Sequence, residues 1–363
     1  MKTLIKKALF FLLCVSVLMS CVLKAQEEGE TILRANSKEL EQTIITPHME
    51  MEVNGDKNVL YCLAFQLAWN ELKENIIIED IRLRDEPLCV DYLNKALSSK
   101  EDISEKDCVA MAGFGIDRII EKINSALKEK FGDESPQILE KLSPEDIMVY
   151  AYLYKNLKFK YVFEPLESPI EFESNGQINH VRAFGIRRFS GTQEHENLAK
   201  QVSVIDYRDD DDFIIILTSE SFEDEIILAK ITPASTLLKT IQAVERRINE
   251  AEPIEMRNRD TLQIPKFNFD ITHSYNELIG KFFRNTDFEE YFITEALQNI
   301  RFRLDEKGAL LKSEARIRGK PISPRPKFLI FDKPFLLLMK EKNGTHPYFA
   351  AWIDNAELMV SGK

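Results

Sequence analysis

LQNIRFRLDEKGA, from Leu297 to Ala309, carries a strand over Ile300 to Glu306 that stops abruptly at the exit Asp305-Glu306-Lys307-Gly308. On its C-terminal side KPFLLLMKE (Lys333 to Glu341) reads as another strand. On its N-terminal side lie TLQIPKFNFDI (Thr261 to Ile271), FIIILTS (Phe213 to Ser219) and QVSVIDY (Gln201 to Tyr207), with a helix expected over Pro233 to Arg247. Further upstream, IMVYAYLYKNLKF (Ile147 to Phe159) is nearly continuous in apolar character, the pattern of a central strand buried on both faces. Before it the period is helical. NVLYCLAFQLAWNELK (Asn58 to Lys73) places Leu60, Ala64, Phe65, Ala68, Trp69 and Leu72 on one face. Asp117 to Lys130 does so with Ile119, Ile120, Ile123 and Leu127 before stopping at Gly132, and a short helix is expected around Ile138–Leu142. Helices lead and strands dominate later, so the class is α+β in one large domain.

The chain has 363 residues, 44% hydrophobic and 30% charged, which is globular rather than disordered. A net charge of -12 argues against a nucleic-acid partner, because phosphate binding needs a basic face. Lys2, Lys6 and Lys7 precede an apolar run from Ala8 to Met19, the layout of a signal peptide, so residues 1–25 are set aside from the fold and an exported protein is expected. Leu18-Met19-Ser20-Cys21 resembles the lipobox of bacterial lipoproteins, which would acylate Cys21 and attach the chain to the membrane of the bacterial cell envelope. Cleavage after Ala25 and plain secretion is the alternative. Residues 26–55 are polar and acidic, expected as a tether with one short element, leaving 56–358 as the domain. Cys62, Cys89 and Cys108 are odd in number and show no Cys-x-x-Cys spacing, so they are expected as buried free thiols.

Taken in order, these strands resemble the serpin family. LYKNLKFKYVF (Leu153 to Phe163) is similar to the family's third strand of the large sheet with its lysine-containing turn, although Phe159 stands where the family has tryptophan. VSVIDYRDDDDFIIIL resembles paired strands of the second sheet, and IPKFNFDITHSYNEL (Ile264 to Leu278) the Pro-Lys-Phe strand and a helix after it. LQNIRFRLDEKGA matches the fifth strand and its exit, and KPFLLLMKEKNGTHPYFAAWIDN (Lys333 to Asn355) the closing strand pair. The likeness runs from about Ile119 to Asn355. The N-terminal third lacks the family's Ser-Pro-x-Ser stretch, which lies on a buried helix beneath the large sheet.

What the resemblance implies is a large mixed β-sheet, a second sheet, N-terminal helices and a bait loop for a serine protease, here residues 308–327. Once cut, such a loop inserts as a new central strand and drags the acylated protease with it, so the chain would be a single-use inhibitor, a monomer without cofactor or metal, and not an enzyme. This requires an intact five-stranded sheet that can part down its middle. Family spacing from the hinge residue Glu306 puts the scissile bond at Ile322-Ser323, which suits a protease of elastase or subtilisin type. Past Gly308 the loop sorts its side chains. Ala309, Leu311, Ser313, Ala315, Ile317 and Gly319 share one face, and the other is Leu310 followed by the charged Lys312, Glu314, Arg316, Arg318 and Lys320. Such sorting fits burial of one face on insertion. The bulk of Leu310, Leu311 and Lys312 in the hinge supports the alternative, a non-inhibitory binding or structural protein at the cell surface.

Asp209 to Asp212 lack the alternate-position spacing of a calcium loop and are expected as a solvated turn between strands. The five histidines are scattered without metal-ligand spacing, and there is no nucleophile elbow, phosphate loop or His-Glu-x-x-His pair.

Overall fold

The computed structural model describes residues 32–53, 55–220, 222–307 and 325–362. In chain order its elements are β1 (Leu33–Asn36), β2 (Thr43–Thr46), β3 (Asn58–Cys62), α1 (Leu63–Leu72), α2 (Leu88–Asn94), β4 (Cys108–Phe114), α3 (Ile119–Phe131), β5 (Ile147–Leu153), β6 (Glu164–Pro165), β7 (Ile170–Ser174), β8 (Gln177–Val181) and β9 (Ala183–Ile186). There follow α4 (Gln193–Ala199), β10 (Val202–Asp209), β11 (Asp212–Thr218), β12 (Asp224–Lys230), α5 (Leu237–Glu250), β13 (Thr261–Pro265), β14 (Phe267–Ser274), β15 (Leu297–Leu304), β16 (Phe328–Ile330), β17 (Phe335–Glu341) and β18 (Phe349–Ile353).

The most apolar runs meet in a seven-stranded sheet of order β10-β11-β12-β17-β18-β3-β2, antiparallel except for the β2–β3 pair. Both of its faces are buried, which is why its strands read as unbroken apolar runs. Phe213, Ile215 and Leu217 of β11 and Phe335 and Leu337 of β17 enter one core. Ile214 and Ile216, with Leu336 and Leu338, enter the other, which α5 closes with Leu237, Ile241 and Val244. Thr236 starts α5 by accepting the Lys239 N–H at 3.2 Å, so the helix begins four residues later than the apolar spacing from Pro233 suggests.

Five further strands form two separate sheets, β1-β14-β15 and β4-β5. β15 runs antiparallel to β14 from Leu297↔Ser274 to Leu304↔Phe267, and β4 antiparallel to β5 from Cys108↔Leu153 to Phe114↔Ile147. Among the described residues no ladder joins β15 to β5, so the intact five-stranded sheet that was expected is not formed. Helix α1 packs across β4 and β5 and reaches β15. On the opposite face α3 lays Ile119, Ile123 and Leu127 against Val109 and the partly buried Met111, Tyr150 and Tyr152, ending at Gly132 with φ 71°. A four-stranded sheet of order β16-β13-β9-β6 and the hairpin β7–β8 complete the fold.

Several sequence expectations change. Asn58–Cys62 is strand rather than helix, because its backbone pairs with β2 and β18 on either side and buries Val59, Leu60 and Tyr61. Ile147–Phe159 is not a strand buried on both faces. Only Ile147–Leu153 is strand, half-buried, with one ladder partner. Ile138–Leu142 is not helical, since the Asn124 side chain clips the Ile138 N–H and C=O at 2.9 Å each and holds the segment extended along α3. Thr261–Ile271 breaks at Lys266 into two strands of different sheets, and turns rather than a helix follow β14. Part of the expected tether contributes β1, parallel to β14, and β2, parallel to β3. Cys62, Cys89 and Cys108 are free thiols, and burial pushes that of Cys89 up to about 12.

Two histidines make the fold acid-sensitive. Burial, with Lys95 beside His48 and Lys38 beside His273, lowers both pKa values from 6.5 to about 4. The unfolded chain binds these protons as pH falls below 6.5 and the native state does not until pH approaches 4. Stability present above pH 6.5 is therefore expected to decline down to pH 4, by at most about 3 kcal/mol per ring and less where the ring is partly wet. Urea midpoints at pH 7, 5.5 and 4.5 measure this. A His48→Phe, His273→Gln variant with the same pH slope as the parent would remove the histidines as its cause.

Candidate functional site

Strand β15 alternates cleanly, with Ile300, Phe302 and Leu304 buried and Arg301 and Arg303 exposed. The chain leaves this strand at a mooring. The Glu306 carboxylate meets the Lys266 Nζ at 2.5 Å, both side chains largely buried, and the Glu306 carbonyl accepts the Phe163 N–H at 2.9 Å. Lys266 is fixed in turn by its position between β13 and β14, where its N–H donates to the Arg182 carbonyl and its carbonyl accepts the Val360 N–H. Phe159 and Phe163, both buried, pack edge-to-face at 5.0 Å and against Phe184 beside this mooring. Asp305 accepts the Lys307 N–H at 3.0 Å and pairs with Arg303 at 3.2 Å.

The chain returns at a second mooring. Asp260 accepts the Lys327 N–H at 2.8 Å and its ammonium at 2.6 Å, and also the Arg257 N–H at 2.7 Å. From there β16 runs parallel on β13. The β10–β11 turn braces the return. The Tyr207 hydroxyl donates to Asp210 and accepts the Phe328 N–H, Arg325 reaches Asp210 at 3.6 Å, and Asp211 binds both Lys230 and Lys333. The aspartate run is thus a strand-joining turn, as expected, but one tied down by cations.

Both moorings sit on one short stretch, Asp260 to Lys266, which spans about 20 Å when extended. The 20 residues from Lys307 to Pro326 that join them can reach about 66 Å. The connection therefore holds far more chain than the gap requires. Of the predicted hinge and scissile-bond residues only Glu306 lies within the described set, and of the predicted loop itself only Arg325, Pro326 and Lys327 do. Gly308, Ala309, Leu311, Ser313, Ala315, Ile322 and Ser323 lie outside the described residues, as do Cys21 and the expected signal segment. Lys266 was assigned no role from the sequence, and Asp260 and Lys327 were missed. A lysine between Pro265 and Phe267 in an otherwise apolar strand was the available signal.

A family model described as Serpin (serine protease inhibitor) matches residues 111–355. A search of curated proteins by sequence finds no match. Solved structures similar to this chain include the mouse protein-Z dependent protease inhibitor, at 13% identity over 84% of this chain and 91% of that one, with a TM-score of 0.48. The Manduca sexta serine protease inhibitor (serpin)-12 follows at 14% over 84% and 94%, TM-score 0.49, and Tenebrio molitor serpin48 at 15% over 82% and 74%, TM-score 0.40. Since the family model covers well over half of the 363 residues, from within β4 to the end of the closing strand pair, the chain belongs to the serpin family.

Proposed function

We propose that this serpin is an exported, single-use inhibitor of a serine protease of elastase or subtilisin type, acting as a monomer through cleavage at Ile322-Ser323 and insertion of residues 309–320 between β15 and β5. Acylation of Cys21 would hold it at the cell envelope, and cleavage after Ala25 would release it. The observation that supports the proposal is the moored connection, in which Glu306 is held by Lys266 and Lys327 by Asp260 while the chain between them is far longer than the gap requires. A strand entering beside β15 would turn its small or apolar face to the side on which Ile300, Phe302 and Leu304 are buried, while the lack, among the described residues, of a ladder joining β15 to β5 counts against the intact sheet this mechanism requires. The excess chain between the moorings supplies the length, and the inhibitor contributes strain relief rather than catalysis.

Incubation with such a protease is expected to give a complex that survives SDS. The loop-cleaved protein is expected to melt at least about 10 °C higher, which at about 2 °C per kcal/mol reports several kcal/mol of new pairing. Clean turnover without a complex would sink the inhibitory role. Leu310, Leu311 and Lys312 favour the second proposal, a non-inhibitory binding protein at the cell surface, because overpacking at the buried position would remove about 1–3 kcal/mol of the drive. An unchanged melting temperature after cleavage decides for it.

A further inference from the structure

Around the return mooring the chain is basic, although the protein as a whole carries a net charge of -12. Residues 182–190 hold Arg182, Arg187 and Arg188 and no acid, and residues 254–259 hold Arg257 and Arg259 against the single Glu255. Backbone pairing lays the two stretches side by side beyond the end of the β9–β13 ladder. The Phe189 N–H donates to the Asp260 carbonyl and the Arg259 N–H to the Phe189 carbonyl, each at 2.8 Å, and the Thr261 hydroxyl donates to the Arg187 carbonyl at 3.3 Å. Arg187, Arg188, Arg257 and Arg259 are exposed, and among the described residues none of their guanidinium groups has an ion pair or hydrogen bond. Two acids beside them are already engaged. Asp260 holds Lys327, and Glu164 is shared by the His195 ring at 2.6 Å and the Arg187 N–H at 2.9 Å. Arg259 also stands where its backbone is strained. It has φ 81° in a turn closed by the Asp260 N–H on the Arg257 carbonyl at 2.9 Å, a left-handed position that glycine or asparagine adopts with less strain. Local folding therefore gives no reason for an arginine there.

We infer that these four arginines form a docking strip for the target protease, and that this protease carries an acidic surface beside its substrate cleft. The inference rests on the bait bond proposed above and not on the insertion that follows it. Ile322 lies five residues before Lys327, whose N–H is held by Asp260, so it stays within about 18 Å of the mooring. A protease of about 250 residues has a radius of gyration of about 18 Å, so one engaged on Ile322-Ser323 covers the strip. Unpaired guanidinium groups at the rim of such an encounter attract carboxylates and raise the association rate in a salt-dependent way. A basic partner surface would be repelled there. The acidic remainder of the chain repels an acidic protease elsewhere, so the strip also orients the approach.

The test measures kcat/KM for cleavage of the full chain at Ile322-Ser323 by two forms of one subtilisin-type protease, the unmodified enzyme and a form with surface glutamates added beside its cleft. In about 50 mM salt the acidic form is expected to cut the parent at least about fivefold faster, a difference that shrinks below about twofold in about 0.5 M salt. The variant Arg187→Gln, Arg188→Gln, Arg257→Gln, Arg259→Gln is expected to lose the difference and to melt within about 3 °C of the parent, since these side chains hold nothing in the fold. Arg259→Gly alone is expected to melt no lower than the parent while losing part of the difference. Equal rates on the parent, or a difference that survives in the quadruple variant, would overturn the strip and leave the bait bond standing. A charge effect with cleavage at another bond of the connection would overturn the bait bond and keep the strip. A connection that neither form cuts overturns both.

Discussion

Replacing Asp260 with alanine is expected to lower the stability of the folded chain by about 3–5 kcal/mol, the range for stranding one partner of a buried ion pair. This carboxylate accepts from two backbone N–H groups, of Arg257 and Lys327, and from the Lys327 ammonium, and its side chain is 2% exposed. Alanine removes all of these acceptors at once. The Lys327 ammonium, itself mostly buried, keeps only a long contact to the Glu255 carbonyl at 3.5 Å. Asp260→Asn retains an acceptor oxygen for the backbone and should lose roughly half as much, mainly the charge-assisted part. Chemical denaturation of the three proteins measures this. A loss below about 1 kcal/mol in the alanine variant would show that the return mooring is not a stabilising pair. Because β16 begins at the next residue, the alanine variant should also expose the β13–β16 ladder to faster amide exchange before the rest of the fold.

The departure mooring is expected to respond with the opposite partner removed. Lys266→Met leaves the Glu306 carboxylate, 14% exposed, without its cation and should cost about 3–5 kcal/mol. Glu306→Leu in the same background removes the stranded charge. The double variant is expected to recover to within about 1–2 kcal/mol of the parent, since an apolar pair of similar volume commonly replaces a buried ion pair with little loss. The coupling between the two changes in a double-mutant cycle is the decisive quantity. Additive losses would mean that Lys266 stabilises the fold through its other contacts and that Glu306 is held there by its backbone alone. Neither variant touches Ile322-Ser323, so any change in protease trapping reports on the hinge rather than on the bait.

Glu306 stood out in the sequence through its place in the Asp-Glu-Lys-Gly exit, while its partner did not, because Lys266 lies forty residues upstream and meets it only when β13 and β14 part into different sheets. Strands β11 and β17 of the seven-stranded sheet were legible for a simpler reason. Runs such as Phe213–Leu217 and Phe335–Leu338 have no polar face and can only be buried on both sides. Asn58–Cys62 misled because Leu60 and Ala64 are spaced for a helix, and the ladder to β18 outweighs that local pattern. Ile147–Leu153 misled in the other direction, since Tyr150 and Tyr152 pack toward α3 while α1 packs on the strand as well, and among the described residues its only ladder is to β4.

By itself the order of apolar runs, turns and the acidic exit determined the family, the class of fold and the place of the long connection, since these follow from local period and spacing. Tertiary structure alone decided that the connection is moored at Lys266 and Asp260, and that the buried Lys155 ammonium meets Asp107, Asp224 and Glu341. Those features depend on charges from distant segments being brought together out of water, and the strength of such pairs is set by burial and distance, neither of which a linear sequence contains.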